Sequence, residues 1–234
     1  MKISTAILVC SLVSVTPALV LGTPTTIAQW TFETSQPATA GPFAPEVGSG
    51  NASGSHAGAA VYSSPTGNGS THSYSSTVWN VNDYWQFSTS TLGYQNITLS
   101  WDQTSSNTGP GVFGLFWSTD GSTFAQFGLN YNVPAPTTTW GSYSYDLSSI
   151  ASLNNASTVY LRLVDESTAN AAGTGAVGTS GTDRVDNFTV SGIQIPANVP
   201  DSAPGLAGLG CALGLLAVLR RISNVSCPLS QKHA

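Results

Sequence analysis

Between two apolar ends, the chain alternates apolar and polar residues with a period of two. The run Ile97-Thr98-Leu99-Ser100-Trp101-Asp102 shows it most clearly. Such a pattern puts successive side chains on opposite faces of a strand, one of which is buried. Similar runs predict strands over 28–34, 84–90, 112–118, 123–129, 143–147, 159–164 and 184–190, set apart by clusters of Gly, Ser, Asn and Pro. No ten consecutive residues of this region keep a helical period. Within 117–123 the pair Asp120-Gly121 can take the positive φ values of a tight turn, so the flanking runs predict a hairpin. About eight strands at spacings of about ten residues predict an all-β fold over 23–197, an antiparallel β-sandwich of the jelly-roll kind. Trp30, Phe32, Trp85, Phe87, Trp101, Phe113, Trp117 and Phe188 are its expected core. Two stretches without alternation are read as loops: 41–72, with at most one edge strand over 59–62, and 169–182.

The ends follow a different logic. The apolar run 6–15 comes after Lys2 and leads into Pro17 and small residues, the order of a secretory signal peptide, assigned to 1–22, with Ala18, Gly22 and Ala28 as alternative residues before the cut. The segment 203–219 is apolar and just long enough to cross a bilayer as a transmembrane helix. Arg220 and Arg221 follow it directly and would hold the tail on the cytoplasmic side. Both ends therefore imply one orientation, with 23–197 exported and 198–234 as a C-terminal signal.

Composition narrows the partners. Only 7% of the 234 residues are charged, against about 25% in ordinary domains, and 33 Ser and 27 Thr supply polarity instead. Between Thr23 and Val199 there are ten acids, no lysine, and only Arg162 and Arg184 as cations, a net charge of −8. This excludes nucleic acid, whose phosphates need clustered Lys and Arg. Cys10, Cys211 and Cys227 all lie in or beyond the apolar ends, so the middle must fold without a disulfide or thiolate metal site.

The run Val199-Pro200-Asp201-Ser202, the apolar segment 203–219 and the pair Arg220-Arg221 together resemble the PEP-CTERM type of sorting signal, in its VPDSG-like variant. The resemblance covers 199–221. It implies export machinery, a membrane-held intermediate, cutting near 199–202 by an exosortase-like enzyme, and a final place at the cell surface or in a matrix of exopolysaccharide. Ala203 stands where the variant has Gly, and thirteen residues follow Arg221. A GPI-anchor signal also places small residues before an apolar tail, but the arginine pair and polar tail count against it.

A second resemblance concerns the middle. Gln29-Trp30-Thr31-Phe32-Glu33 and Arg184-Val185-Asp186-Asn187-Phe188-Thr189-Val190-Ser191-Gly192 resemble the first and last strands of extracellular jelly rolls, among them carbohydrate-binding modules with a galactose-binding-like fold. It implies that these two strands pair. It also makes Glu33, Asp183 and Asp186 comparable with acids that hold a structural calcium in such folds, an ion that takes six to eight oxygens. The alternative is solvated ion pairing of Arg184 with those acids, and no metal or cofactor is assigned.

Catalytic patterns are sparse. Gly109-Pro110-Gly111-Val112-Phe113-Gly114 fits G-x-G-x-x-G but runs into a predicted strand, whereas a dinucleotide fingerprint opens a helix. His56 and His72 have no second ligand at metal spacing, and no G-x-S-x-G occurs. Asp165 and Glu166 are neighbours on a strand end and would point apart, unlike the facing carboxyls of a glycosidase. The expectation is a non-catalytic surface or matrix protein associated with exopolysaccharide. Its rivals are a secreted polysaccharide hydrolase with acids from loops and a purely structural envelope module. Trp79 and Trp140, in predicted loops, are the candidate sugar contacts, since an indole face can stack on a sugar ring. Alternatively they fold back as lids on the sandwich.

Overall fold

The alternating runs become strands. The computed structural model describes residues 22–196. Its elements are β1 (Thr25–Trp30), β2 (Gly50–Ser55), β3 (Tyr62–Ser63), β4 (Tyr74–Ser76), β5 (Tyr84–Thr89), β6 (Tyr94–Ser105), β7 (Val112–Ser118), β8 (Ala125–Asn132), β9 (Gly141–Asp146), a 3-10 turn at Ala151–Leu153, β10 (Val159–Asp165) and β11 (Asp183–Gln194). All pairings between them are antiparallel. One sheet runs β3-β4-β11-β6-β9, with β1 also on β11; the other runs β2-β5-β10-β7-β8. The expected pairing of first and last strands is present, with Trp30 opposite Phe188. The signal peptide, the run Val199 to Ser202, the apolar segment 203–219 and Arg220-Arg221 lie outside the described residues, among which no helix is long and apolar enough to cross a membrane.

The two sheets form a sandwich closed by aromatic rings. Phe87 of β5 and Phe188 of β11 stack in parallel at 3.7 Å between centroids, one from each sheet. Trp30 meets both edge-on, and Trp101 lies over Tyr143 and Tyr145. Every expected core residue is buried except Trp117, which is half-buried and packed against the core. The Asp120-Gly121 hairpin joins β7 to β8: Gly121 has φ +72, and the Asp120 carboxylate accepts from the Ser122 and Thr123 amides at 2.8 Å each.

The stretch 41–72 corrects the sequence reading, because β2 lies inside it. The run Gly50-Asn51-Ala52-Ser53-Gly54-Ser55 has no apolar alternation, since its small residues leave room for large neighbours on β5. A Cβ on Gly54 would stand 2.9 Å from the Trp85 ring and 2.7 Å from that of Tyr62. Of the edge strand expected over 59–62 only Tyr62 is in a strand, the two-residue β3, which pairs with β4, itself too short to announce itself. The loop 169–182 contains no strand, as expected.

Candidate functional site

The outer faces of the two sheets carry different chemistry. On the β11-containing sheet, Thr98, Ser100 and Asp102 of β6 and Ser142, Ser144 and Asp146 of β9 make a surface of hydroxyls and carboxylates without a ring. On the β10-containing sheet the polar positions of the alternation instead hold Tyr84 and Gln86 on β5, Arg162 on β10 and Phe116 on β7. Because β10 is the central strand, Arg162 lies in the middle of this face, opposite Gln86 on one side and Phe116 on the other.

The Arg162 guanidinium lies 3.9 Å from the ring centre of Tyr84 and 3.6 Å from that of Phe124, just ahead of β8. Each contact is a cation–π attraction. Its Nε donates to Gln86 Oε1 at 2.8 Å. Among the described residues its two terminal amino groups have no hydrogen-bond partner and it joins no ion pair. Partial burial lowers its pKa from the ordinary value, but a guanidinium remains charged at any physiological pH. Around it is a groove of about 200 Å³ whose walls include Asn82, Phe116, Val164 and Glu166. Burial raises the Glu166 carboxyl above its usual range. The groove thus combines flat apolar rings with a cation, an amide and a carboxyl, a set suited to a ligand with both C–H faces and oxygens.

Neither tryptophan singled out in the sequence lines this groove. Trp79 is 5% exposed, packed against Trp85 and Phe113 at 5.2 and 5.4 Å, with its indole N–H donating to the Ser76 carbonyl at 3.1 Å. Of the two readings of Trp79, a stacking face and a lid on the sandwich, this burial and edge-type packing favour the lid. Trp140 is half-buried on the segment leading into β9, a strand of the other sheet. Arg162, Tyr84, Phe116 and Phe124 were missed. A signal did exist, since Arg162 is one of two arginines in the middle of the chain and stands on the polar side of Tyr160-Leu161-Arg162-Leu163.

His56 joins a chain of hydrogen bonds that its sequence spacing does not indicate. His56 Nδ1 is 3.2 Å from Asp83 Oδ2, and Ser76 Oγ is 3.0 Å from His56 Nε2. Asp83 also accepts from the Ala57 and Asn80 amides, both at 2.7 Å. Burial lowers the His56 pKa, so the neutral ring donates to Asp83 and accepts from Ser76. The order is that of a serine-hydrolase relay. Yet Ser76 is fully buried, and the ring of His56 is packed against Trp79 and Tyr62, so no scissile carbonyl can approach the hydroxyl. The relay instead ties the segment after β2 to β4 and to the start of β5.

Glu33, Asp183 and Asp186 are not gathered. Glu33 accepts from the Thr71 amide and hydroxyl, and Asp186 from Ser70 and the Asn68 amide. Asp183 accepts from Trp85 Nε1 at 2.7 Å, from Gln103 Nε2 and from Ser105 Oγ. Among the described residues no three metal-ligating side chains converge, and Arg184 makes no ion pair with these acids. Burial pushes Asp183 and Asp165 up to about 7 and Asp186 to about 6. Asp165 Oδ2 is buried without a hydrogen-bond partner among the described residues.

No family model matches the sequence, and no curated protein matches it. Among solved structures, a carbohydrate-binding module, TmCBM61, in complex with β-1,4-galactotriose is 11% identical, covering 68% of this chain and 92% of its own, at a TM-score of 0.41. A cleaved adhesin domain of Lys-gingipain from Porphyromonas gingivalis is 13% identical over 72% and 98%, at 0.43. The tandem CBM22 domains of Paenibacillus barcinonensis Xyn10C are 12% identical over 80% and 50%, at 0.45. At such identities the ligands of those proteins say nothing about which residues here would touch one.

Proposed function

We propose that this chain is an exported, non-catalytic module of jelly-roll type that holds a glycan in the groove around Arg162. The signal peptide at 1–22 and the PEP-CTERM-like end, Val199-Pro200-Asp201-Ser202 with 203–219 and Arg220-Arg221, would bring it to the cell surface or an exopolysaccharide matrix after cutting by an exosortase-like enzyme. The observation that carries the binding reading is the guanidinium clamped between Tyr84 and Phe124, at the middle of an outer face that also presents Phe116. A pyranose has an apolar C–H face for the rings and a rim of hydroxyls for Arg162, Gln86 and Asn82. Hydrolysis is the weaker reading. Glycosidic cleavage uses two carboxyls flanking the bond, whereas among the described residues Glu166 is the only carboxyl lining the groove and Asp165 is buried on the opposite face of its strand.

The test is a panel of immobilised polysaccharides probed with the full chain in mild detergent, with reducing ends assayed in parallel. Retention without new reducing ends is expected, and Phe116→Ala weakens retention about tenfold, the ~1.4 kcal/mol of one aromatic contact. Release of product, or retention unaffected by Phe116→Ala, would contradict the proposal. The sorting component is tested separately: a Pro200→Ala, Asp201→Ala double variant should accumulate uncut in the membrane fraction, since proline keeps the motif extended and open to the enzyme.

A further inference from the structure

We infer that the groove selects a carboxylate-bearing sugar unit, a uronate of an acidic polysaccharide, and that Arg162 is the residue that determines this specificity. The inference rests on the groove being a glycan site and names the ligand class. The argument starts from the geometry of the guanidinium. The guanidinium carbon lies 3.9 and 3.6 Å from the two ring centres, its N–H bonds all lie in the guanidinium plane, and its Nε–H is already spent on Gln86. What remains is the pair of terminal amino groups held in a fixed plane. A carboxylate can take two parallel N–H bonds from such a fork, each stronger than a bond to a neutral hydroxyl.

Among the described residues no acid occupies that position. Ten acids lie between Thr23 and Val199, yet among the described residues none forms an ion pair with Arg162, not even Glu166 in the same groove. The side chain is held in place by Tyr84, Phe124 and Gln86 while its charge stays unanswered. The net charge of −8 repels polyanions at long range, but at physiological salt the Debye length is about 8 Å and the nearest charges govern contact. A sugar acid fits better than an acidic peptide because Phe116, opposite Arg162 in the ladder and in no ring–ring contact among the described residues, leaves a flat apolar face beside the cation.

Polygalacturonate, alginate and hyaluronan, each beside its carboxyl-reduced form, and poly-L-glutamate are titrated against the full chain in mild non-ionic detergent at 0.15 M salt. At least one uronate polymer is expected to bind ten or more times more tightly than its own reduced form. Arg162→Gln should bring the ratio of native to reduced affinity to within about twofold of one, whatever it removes from binding of the reduced polymer. The comparison of native with reduced polymer uses the unaltered chain, so it stands even if Arg162→Gln does not fold. Equal binding of native and reduced polymers overturns the inference and leaves a neutral-glycan site. Polyglutamate bound as tightly as the best uronate polymer overturns it in favour of an acidic peptide. Retention of no polymer in any form overturns both the inference and the glycan reading beneath it.

Discussion

Raising the pH from 6 to 8 should destabilise this protein, the reverse of ordinary acid denaturation. Asp165 and Asp183 are fully buried, with pKa values pushed up to about 7 by loss of hydration, against about 3.9 in an unfolded chain. Between those values the folded state holds protons that the unfolded state has released, so stability is full below about pH 4 and is lost as pH rises through 7. From pH 6 to 8 each group accounts for a loss of about 1.4 kcal/mol. Asp165 raises Asp183, so the two titrate as a coupled pair and only their total is observable. His56 has the opposite sign: its pKa is lowered, so its contribution grows with pH up to about 6.5 and offsets part of the effect. Glu33, Asp120 and Asp146, whose carboxyls are held below their usual range by hydrogen bonds, act in the acid range outside this window. A net loss of about 2–3 kcal/mol, at a urea m-value of about 2 kcal/mol/M, lowers the unfolding midpoint by about 1 M. Urea unfolding followed by tryptophan fluorescence at pH 6, 7 and 8 measures it. Asp183→Asn should roughly halve the slope. It should also cost about 1–3 kcal/mol at every pH, because Gln103 cannot turn its carbonyl to the new amide: Trp101 and Tyr131 already donate to that oxygen. A midpoint equal or higher at pH 8, or a full slope in Asp183→Asn, would refute the reasoning.

Two further outcomes follow from the packing. Phe188→Ala removes the ring stacked at 3.7 Å on Phe87 and should cost about 3–5 kcal/mol in chemical unfolding, with the far-UV spectrum still all-β. Trp79→Ala should be comparably destabilising, since the indole is core, whereas Trp140→Ala should cost about 1 kcal/mol or less; similar midpoints for the two variants would contradict the assignment of Trp79 as a lid.

What the sequence reveals depends on whether the information is local. The strands β6, β7 and β10 and most of the aromatic core were legible because alternation within one run is enough to place a residue inside or outside. By contrast, β2 was invisible, because its small residues make sense only as the complement of Trp85 and Phe87 across the ladder. Trp79 kept two readings open for the same reason: its cover comes from Trp85 and Phe113, and nothing in its own run separates a lid from an exposed face. The relay of Ser76, His56 and Asp83 joins positions 20 and 27 residues apart, and no spacing rule would have paired them. The face and rarity of Arg162 were readable, but its clamp was not, since Tyr84 and Phe124 arrive from separate strands and loops.

The most direct examination of the binding face is an NMR titration of the ¹⁵N-labelled full chain in micelles with short oligogalacturonates. The Arg162 Nε–H, the Gln86 side-chain amide and the Phe116 backbone amide should show the largest shifts, with Ser100 and Ser144 on the opposite sheet unmoved. Largest shifts at Trp140, or at Ser100 and Ser144, with Arg162 unchanged, would contradict the placement of the site.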